Sequence, residues 1–148
     1  MSRPGRIATY AAVGWGVDAC FTALSSLRRT GRARRSSLWN LPVYGLAQPL
    51  FEPVHDALRT RARAPARAAV YGVGILGVEY ATGRLLRRVL GAAPWDYSYA
   101  RRSVDGLVRP DFLPLWGLFG LALEPLHDAL TRPAAPSRGA RRAPAAPV

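Results

Sequence analysis

The chain has two histidines, and both stand in the same setting: Glu52-Pro53-Val54-His55-Asp56 and Glu124-Pro125-Leu126-His127-Asp128. A spacing of three residues puts the carboxylate and the imidazole on one face of a helix. Two further acids, Asp18 and Glu79, lie in apolar stretches of their own. Carboxylates and imidazoles held together away from water can do three things: hold divalent metal ions, relay protons or cations, or satisfy one another as a hydrogen-bonded network.

The segments that carry these residues are segregated by charge. The chain has 148 residues and a net charge of +12, with 21 basic side chains, all arginine, against 9 acids. So basic a chain first points to nucleic acid. The arginines, however, fall in short clusters at 28–35, 59–67, 84–88, 101–109 and 132–142, with arginine-free apolar stretches between them. That is the layout of a multi-pass protein of the cell membrane. The expected partners are anionic lipid headgroups at the arginine clusters, and not nucleic acid. Helical spans are expected at about 7–27, 38–58, 66–86 and 111–130, each near the ~20 residues that cross a bilayer. Arginines on the two sides of such a chain nearly balance, so they fix no orientation. Trp39, Trp95, Tyr97 and Trp116 near the span borders suit an interfacial belt. Cys20 is the single cysteine and can form no internal disulfide. Asp18 before Ala19-Cys20 fits a lipoprotein cleavage box badly. Residues 133–148, rich in Ala, Pro and Arg, are expected to form a disordered tail after a membrane domain of residues 1–132.

Counted from the start of its span, each acid lies about 16 Å in, which places Asp18, Glu52, Glu79 and Glu124 in one layer near mid-membrane. Each would cost about 2.5–3.5 kcal/mol there without compensation. With no arginine deep in a span, protons, hydrogen bonds, water or metal must neutralise them. The order Asp18, Glu52-x-x-His55, Glu79, Glu124-x-x-His127 resembles the ligand pattern of ferritin-like di-iron and di-manganese proteins. In such a site His55 and His127 each ligate one ion, Glu52 and Glu124 bridge, and Asp18 and Glu79 are terminal ligands. Asp56 and Asp128 would support the ligands or face the interface. Four carboxylates and two neutral imidazoles balance two divalent cations, iron or manganese. Pro53 and Pro125, directly after the glutamates, leave another reading open, in which Glu52 and Glu124 cap short interfacial helices.

An internal repeat organises the chain. Residues 44–58 (YGLAQPLFEPVHDAL) align without gaps with 116–130 (WGLFGLALEPLHDAL) and share Glu-Pro-x-His-Asp-Ala-Leu. Gly16-Val17-Asp18 corresponds to Gly77-Val78-Glu79. The chain therefore reads as one helical hairpin written twice, at about 7–60 and 66–131, in parallel about an axis along the membrane normal. Pro49, Pro53, Pro114 and Pro125 should kink the second and fourth spans. Gly72, Gly74, Gly77, Gly117 and Gly120 should let helices approach closely.

Gly77-Val78-Glu79-Tyr80-Ala81-Thr82-Gly83, followed by Gly91-Ala92-Ala93-Pro94-Trp95-Asp96-Tyr97-Ser98, resembles a hallmark of small membrane proteins of the CmpB-type ABC-transporter permease family, which has vertebrate transmembrane-protein relatives. The likeness runs through Asp105-Gly106 to Trp116-Gly117, and faintly to Gly14–Asp18 and Tyr44-Gly45, over about residues 10–130. It implies a polytopic bundle with acids in its helices, and a transporter role. Acids at the positions of Asp18 and Glu79 are typical of that family, whereas the paired Glu-Pro-x-His-Asp motifs depart from it. From the residues alone, Trp95-Asp96-Tyr97 is a loop after the third span, with Pro94 ending the helix. Asp96 is placed to cap a turn or pair with Arg101 or Arg102, and the loop could gate a substrate path.

The expectation is an all-α bundle of four transmembrane helices with a polar site inside. The site reads either as a di-metal centre acting on a lipid-soluble substrate or as the proton- or ion-coupling acids of a permease subunit. A non-catalytic lipid-binding protein is the third reading. The chain carries no ATP-binding motif, so pumping would need a separate ATPase subunit; a second copy of the chain is the other expected partner.

Overall fold

The computed structural model describes residues 1–132. The expected tail at 133–148 lies outside the described residues. Every regular element among the described residues is helical: α1 (Arg3–Thr30), α2 (Asn40–Gly45), α3 (Ala47–Leu58), α4 (Ala64–Leu90) and α5 (Leu113–Thr131), with a 3-10 turn at Pro110–Phe112.

Local chemistry sets the ends. The Ser2 hydroxyl accepts from the Gly5 N–H, with Pro4 in the first turn of α1. Gly31 and Gly91, at φ 70° and 78°, stop α1 and α4 in the left-handed conformation that glycine adopts without strain. Gly91, and not Pro94, therefore ends α4. The stretch expected as a second span is not one rod. Pro49 has no N–H to give the Gly45 carbonyl, and the helix breaks at Leu46 into α2 and α3. Pro125 sits inside a continuous α5, and Pro114 starts that helix rather than kinking it.

The helices pair as two antiparallel hairpins, α1 against α2–α3 and α4 against α5. The α4–α5 crossing is close because glycines meet backbone there. A Cβ on Gly117 would stand 2.7 Å from the Ala68 carbonyl oxygen, and one on Gly72 2.7 Å from that of Leu113. Gly74 and Gly77, expected to serve the same purpose, face open space. Between the hairpins the contact is made by long side chains: Tyr10, Phe51, Tyr71 and Leu123 form the core cluster, and the Phe51 and Tyr71 rings lie 4.9 Å apart.

Polarity is inverted relative to a water-soluble bundle. Gln48, Glu52, His55, Arg67, Glu124 and His127 are buried, while Leu24, Val73 and Leu118 are 57–64% exposed. Of the described helices, α1 is the one long and apolar enough by itself to cross a membrane.

Candidate functional site

The expectation that four acids share one layer is corrected by the structure. Antiparallel packing sets α1 against α2–α3 so that Arg6 meets Glu52 while Asp18 meets Asn40. Arg6 and Asp18 are twelve residues apart on one helix, or about 18 Å. Counting each acid from its own span's start assumed helices that enter flush, and the hairpin register sets a different alignment. The six proposed ligands accordingly fall into two groups: Glu52, His55, Glu124 and His127 at one level, and Asp18 and Glu79 at another.

The first group is neutralised by arginine, contrary to the expectation that none reaches it. The Arg6 guanidinium straddles Glu52, at 2.8 Å from Nε to Oε1 and 3.2 Å from Nη2 to Oε2. Arg67 does the same for Glu124 at 2.7 and 3.1 Å, and Arg59 adds a contact at 3.2 Å. Both straddling arginines sit in the first turns of α1 and α4 and reach inward from the helix ends. Neutral donors complete the group. Gln48 Nε2 donates to Glu52 at 2.6 Å, the Tyr71 hydroxyl donates to Glu124 at 3.0 Å, and the Tyr10 hydroxyl lies 3.0 Å from His127 Nδ1. Glu52 and Glu124 are thus mid-helix residues in ion pairs, not caps of short helices. His55 and His127, at equivalent places in the two copies of the motif, come together with ring centroids 4.3 Å apart and planes tilted by 52°. Asp56, expected at the periphery, lies 3.2 Å from both imidazoles, and Asp128 pairs with Arg59 at 3.2 Å.

Arg6, Tyr10, Arg67 and Tyr71 escaped the sequence reading, although a signal was there. Arg6-x-x-x-Tyr10 leads to Gly16-Val17-Asp18 with the spacing by which Arg67-x-x-x-Tyr71 leads to Gly77-Val78-Glu79. The repeat therefore begins at these arginines, and each half carries its own counterion.

The second group opens on a cavity of about 350 Å³ between the hairpins, separated from the first by Phe51 and Tyr71. Its walls are largely apolar, with Val43, Leu50, Ile75, Val78 and Phe119 on the sides and Tyr44, Trp95, Tyr97 and Trp116 around the two acids. Trp95, Tyr97 and Trp116 thus turn inward rather than forming a belt at the border. Asp18 accepts from the Ser36 hydroxyl and, at 3.0 Å, from Asn40 Nδ2. Glu79 accepts from the Tyr97 hydroxyl at 3.0 Å. Neither acid has a basic partner among the described residues. Glu79 Oε2, Asn40 Oδ1 and the Trp116 indole nitrogen are buried without a well-formed hydrogen bond, the Trp116 N–H being the donor that lies beside Glu79. Such orphaned atoms are costly in a folded interior and mark a place for a polar ligand.

The Trp95-Asp96-Tyr97 loop is built to hold this wall. Trp95 donates its indole N–H to the Leu107 carbonyl at 2.9 Å, and the Tyr97 N–H donates to the Gly106 carbonyl at 2.8 Å. Asp96 caps its own turn, accepting from the Ser98 N–H at 2.9 Å rather than pairing with Arg101 or Arg102. The hydrogen bonds of Ser98, with Arg87 and Arg34 nearby, hold the Asp96 carboxyl below its ordinary range. Asp105 and Gly106, both at positive φ, turn the chain back so that Leu107 is fully buried against this loop.

Residues 6–135 match the model of a family described as "Putative ABC-transporter type IV". No solved structure matches the chain.

Proposed function

The chain belongs to that ABC-transporter family and is accordingly a transporter-like membrane protein, and from this premise we propose that it is the membrane-spanning subunit that binds and passes an organic cation. In this reading four spans cross the bilayer: α1, the broken α2–α3 rod, α4 and α5. The apolar exterior and polar interior support it. Exposed arginines at 28–35 and 84–102 then meet headgroups at the cavity end, and a separate ATPase subunit supplies the energy.

The observation that carries the proposal is the contrast in counterions. Glu52 and Glu124 have arginines, while Asp18 and Glu79 have none among the described residues and face a cavity instead. A cation supplies the missing charge. Orphaned acceptors on Glu79 and Asn40 call for N–H donors, so an ammonium head fits. Tyr44, Trp95, Tyr97 and Trp116 offer ring faces to the same charge. A bare metal ion fits poorly, since the walls supply few oxygens and much hydrocarbon. At about 350 Å³ the cavity falls in the range of pockets that take small organic ligands, and its apolar side receives the body of the amine.

Titrating detergent-purified protein with 3-phenylpropylammonium, read by the fluorescence of Trp95 and Trp116, tests this. Saturable binding is expected, absent for the neutral 3-phenylpropanol. Asp18→Asn or Glu79→Gln should weaken it by at least about tenfold, the worth of one charge-assisted hydrogen bond. Binding that is absent, or indifferent to both substitutions, overturns the proposal.

A further inference from the structure

The paired histidines lie outside the cavity and take no part in cation binding there. They sit where the two repeats meet, one from α3 and one from α5. From their geometry we propose that His55, His127 and Asp56 bind one divalent transition-metal ion of the zinc type, which pins the two repeats together at the end opposite the cavity.

Three observations support the site. Ligand atoms from His55, Asp56 and His127 lie within 4.8 Å of one another. Tetrahedral zinc, with bonds of about 2.0–2.1 Å, sets its ligand atoms about 3.3–3.4 Å apart. The Asp56 carboxylate is already 3.2 Å from His55 Nδ1 and from His127 Nε2, on the side of the His55 ring away from Asp128, so the fourth position falls to water. Second, His55 Nε2 is buried with no hydrogen-bond partner, and the residue is 3% exposed. That nitrogen turns to the Asp128 carboxylate at 3.6 Å, which favours a proton there and leaves Nδ1, on the Asp56 side of the ring, free to ligate. Third, His127 is oriented as metal-bound histidines are. Its Nδ1 faces the Tyr10 hydroxyl at 3.0 Å and Glu52 at 3.7 Å, which favours a proton there and leaves Nε2 free to ligate.

The surrounding charge permits it. Arg6 and Arg67 are occupied by Glu52 and Glu124, and the one arginine close to Asp128, Arg59, is partly exposed and can turn toward Glu124 alone. Asp56 reaches solvent and provides the entry path. Imidazole with carboxylate selects zinc, copper or nickel over magnesium and calcium. One ion, not two, is inferred, because Asp18 and Glu79 belong to the other level and both glutamates are held by arginine.

Full-length protein in detergent, stripped with a chelator and titrated with Zn²⁺, should bind one ion per chain and melt at a higher temperature with Zn²⁺ than with Mg²⁺. Co²⁺ in its place should give the intense visible bands of a tetrahedral complex. Asp56→Asn, a near-isosteric change at an exposed position, should lower Zn²⁺ affinity at least tenfold and shift the Co²⁺ spectrum. His55→Gln should do the same. Absence of saturable Zn²⁺ binding, a stoichiometry of two, or affinity unchanged in both variants overturns the proposal. Because 3-phenylpropylammonium binding is read separately in the same samples, this site and the cation cavity can fail independently.

Discussion

Two polar levels lie inside this bundle, and they treat buried charge in opposite ways. At the arginine level each glutamate is straddled by a guanidinium and finished by an amide or phenol. At the cavity level two carboxylates face aromatic rings and empty volume, with acceptors left over. A pair with good geometry and satisfied lone pairs holds a structure together, and removing one member is costly because the other is left buried and charged. An acid without a counterion weakens the fold and persists where a ligand completes it. On the proposed reading, the first level is scaffold and the second is where the cation binds.

Breaking the arginine level should give the largest effect. Arg67→Met strands Glu124 and is expected to cost about 3–5 kcal/mol, read as a lower thermal midpoint in detergent. Adding Glu124→Met should restore much of the loss, because two apolar groups replace a pair. A smaller loss, about 1–3 kcal/mol, is expected for Gly117→Ala, whose new methyl meets the Ala68 carbonyl and forces α4 from α5. Its thermal midpoint should fall, while Gly77→Ala, at open space, should leave it unchanged. At the cavity level the loss moves from stability to affinity. Asp18→Asn should cost about 1.4 kcal/mol of ammonium binding, a tenfold change in the fluorescence titration, with little change in melting. Smallest is Trp95→Phe, which gives up the bond to Leu107 and is expected to cost about 1 kcal/mol while loosening the cavity wall.

The sequence displayed the repeated motif because Glu-Pro-x-His-Asp-Ala-Leu occurs twice, and the helices because apolar stretches alternate with arginine clusters; the stop signals at Gly31 and Gly91 were present but passed over in favour of Pro94. The meeting of His55 with His127 joins the two copies of that motif, one on α3 and one on α5. Hairpin register was not legible. It depends on how the loops at 31–39 and 91–109 seat against the helix ends, and no periodicity inside a span records that. Hence Asp18 and Glu79 were placed beside Glu52 and Glu124, from which they stand well apart along the helices. The arginines were hidden for a related reason. Arg6 and Arg67 sit at helix ends, where a basic residue usually faces solvent or headgroups, and only the fold turns them inward. Tyr97 was visible as part of a loop motif, but its hydroxyl bond to Glu79 depends on the turn at Asp105-Gly106, far along the chain.

The division between the levels is tested most directly by comparing Glu79→Gln with Glu124→Gln in the same assay, measuring 3-phenylpropylammonium affinity and melting temperature on each purified variant. Glu79→Gln should lose at least about tenfold in affinity and melt no lower than the parent protein, since it removes a buried acid with no basic partner among the described residues and keeps an oxygen for the Tyr97 hydroxyl. Glu124→Gln should melt markedly lower and, at a temperature where it is folded, bind the ammonium as the parent does. If the two variants lose affinity alike, or if Glu79→Gln unfolds the protein while Glu124→Gln does not, the assignment of the two levels is wrong.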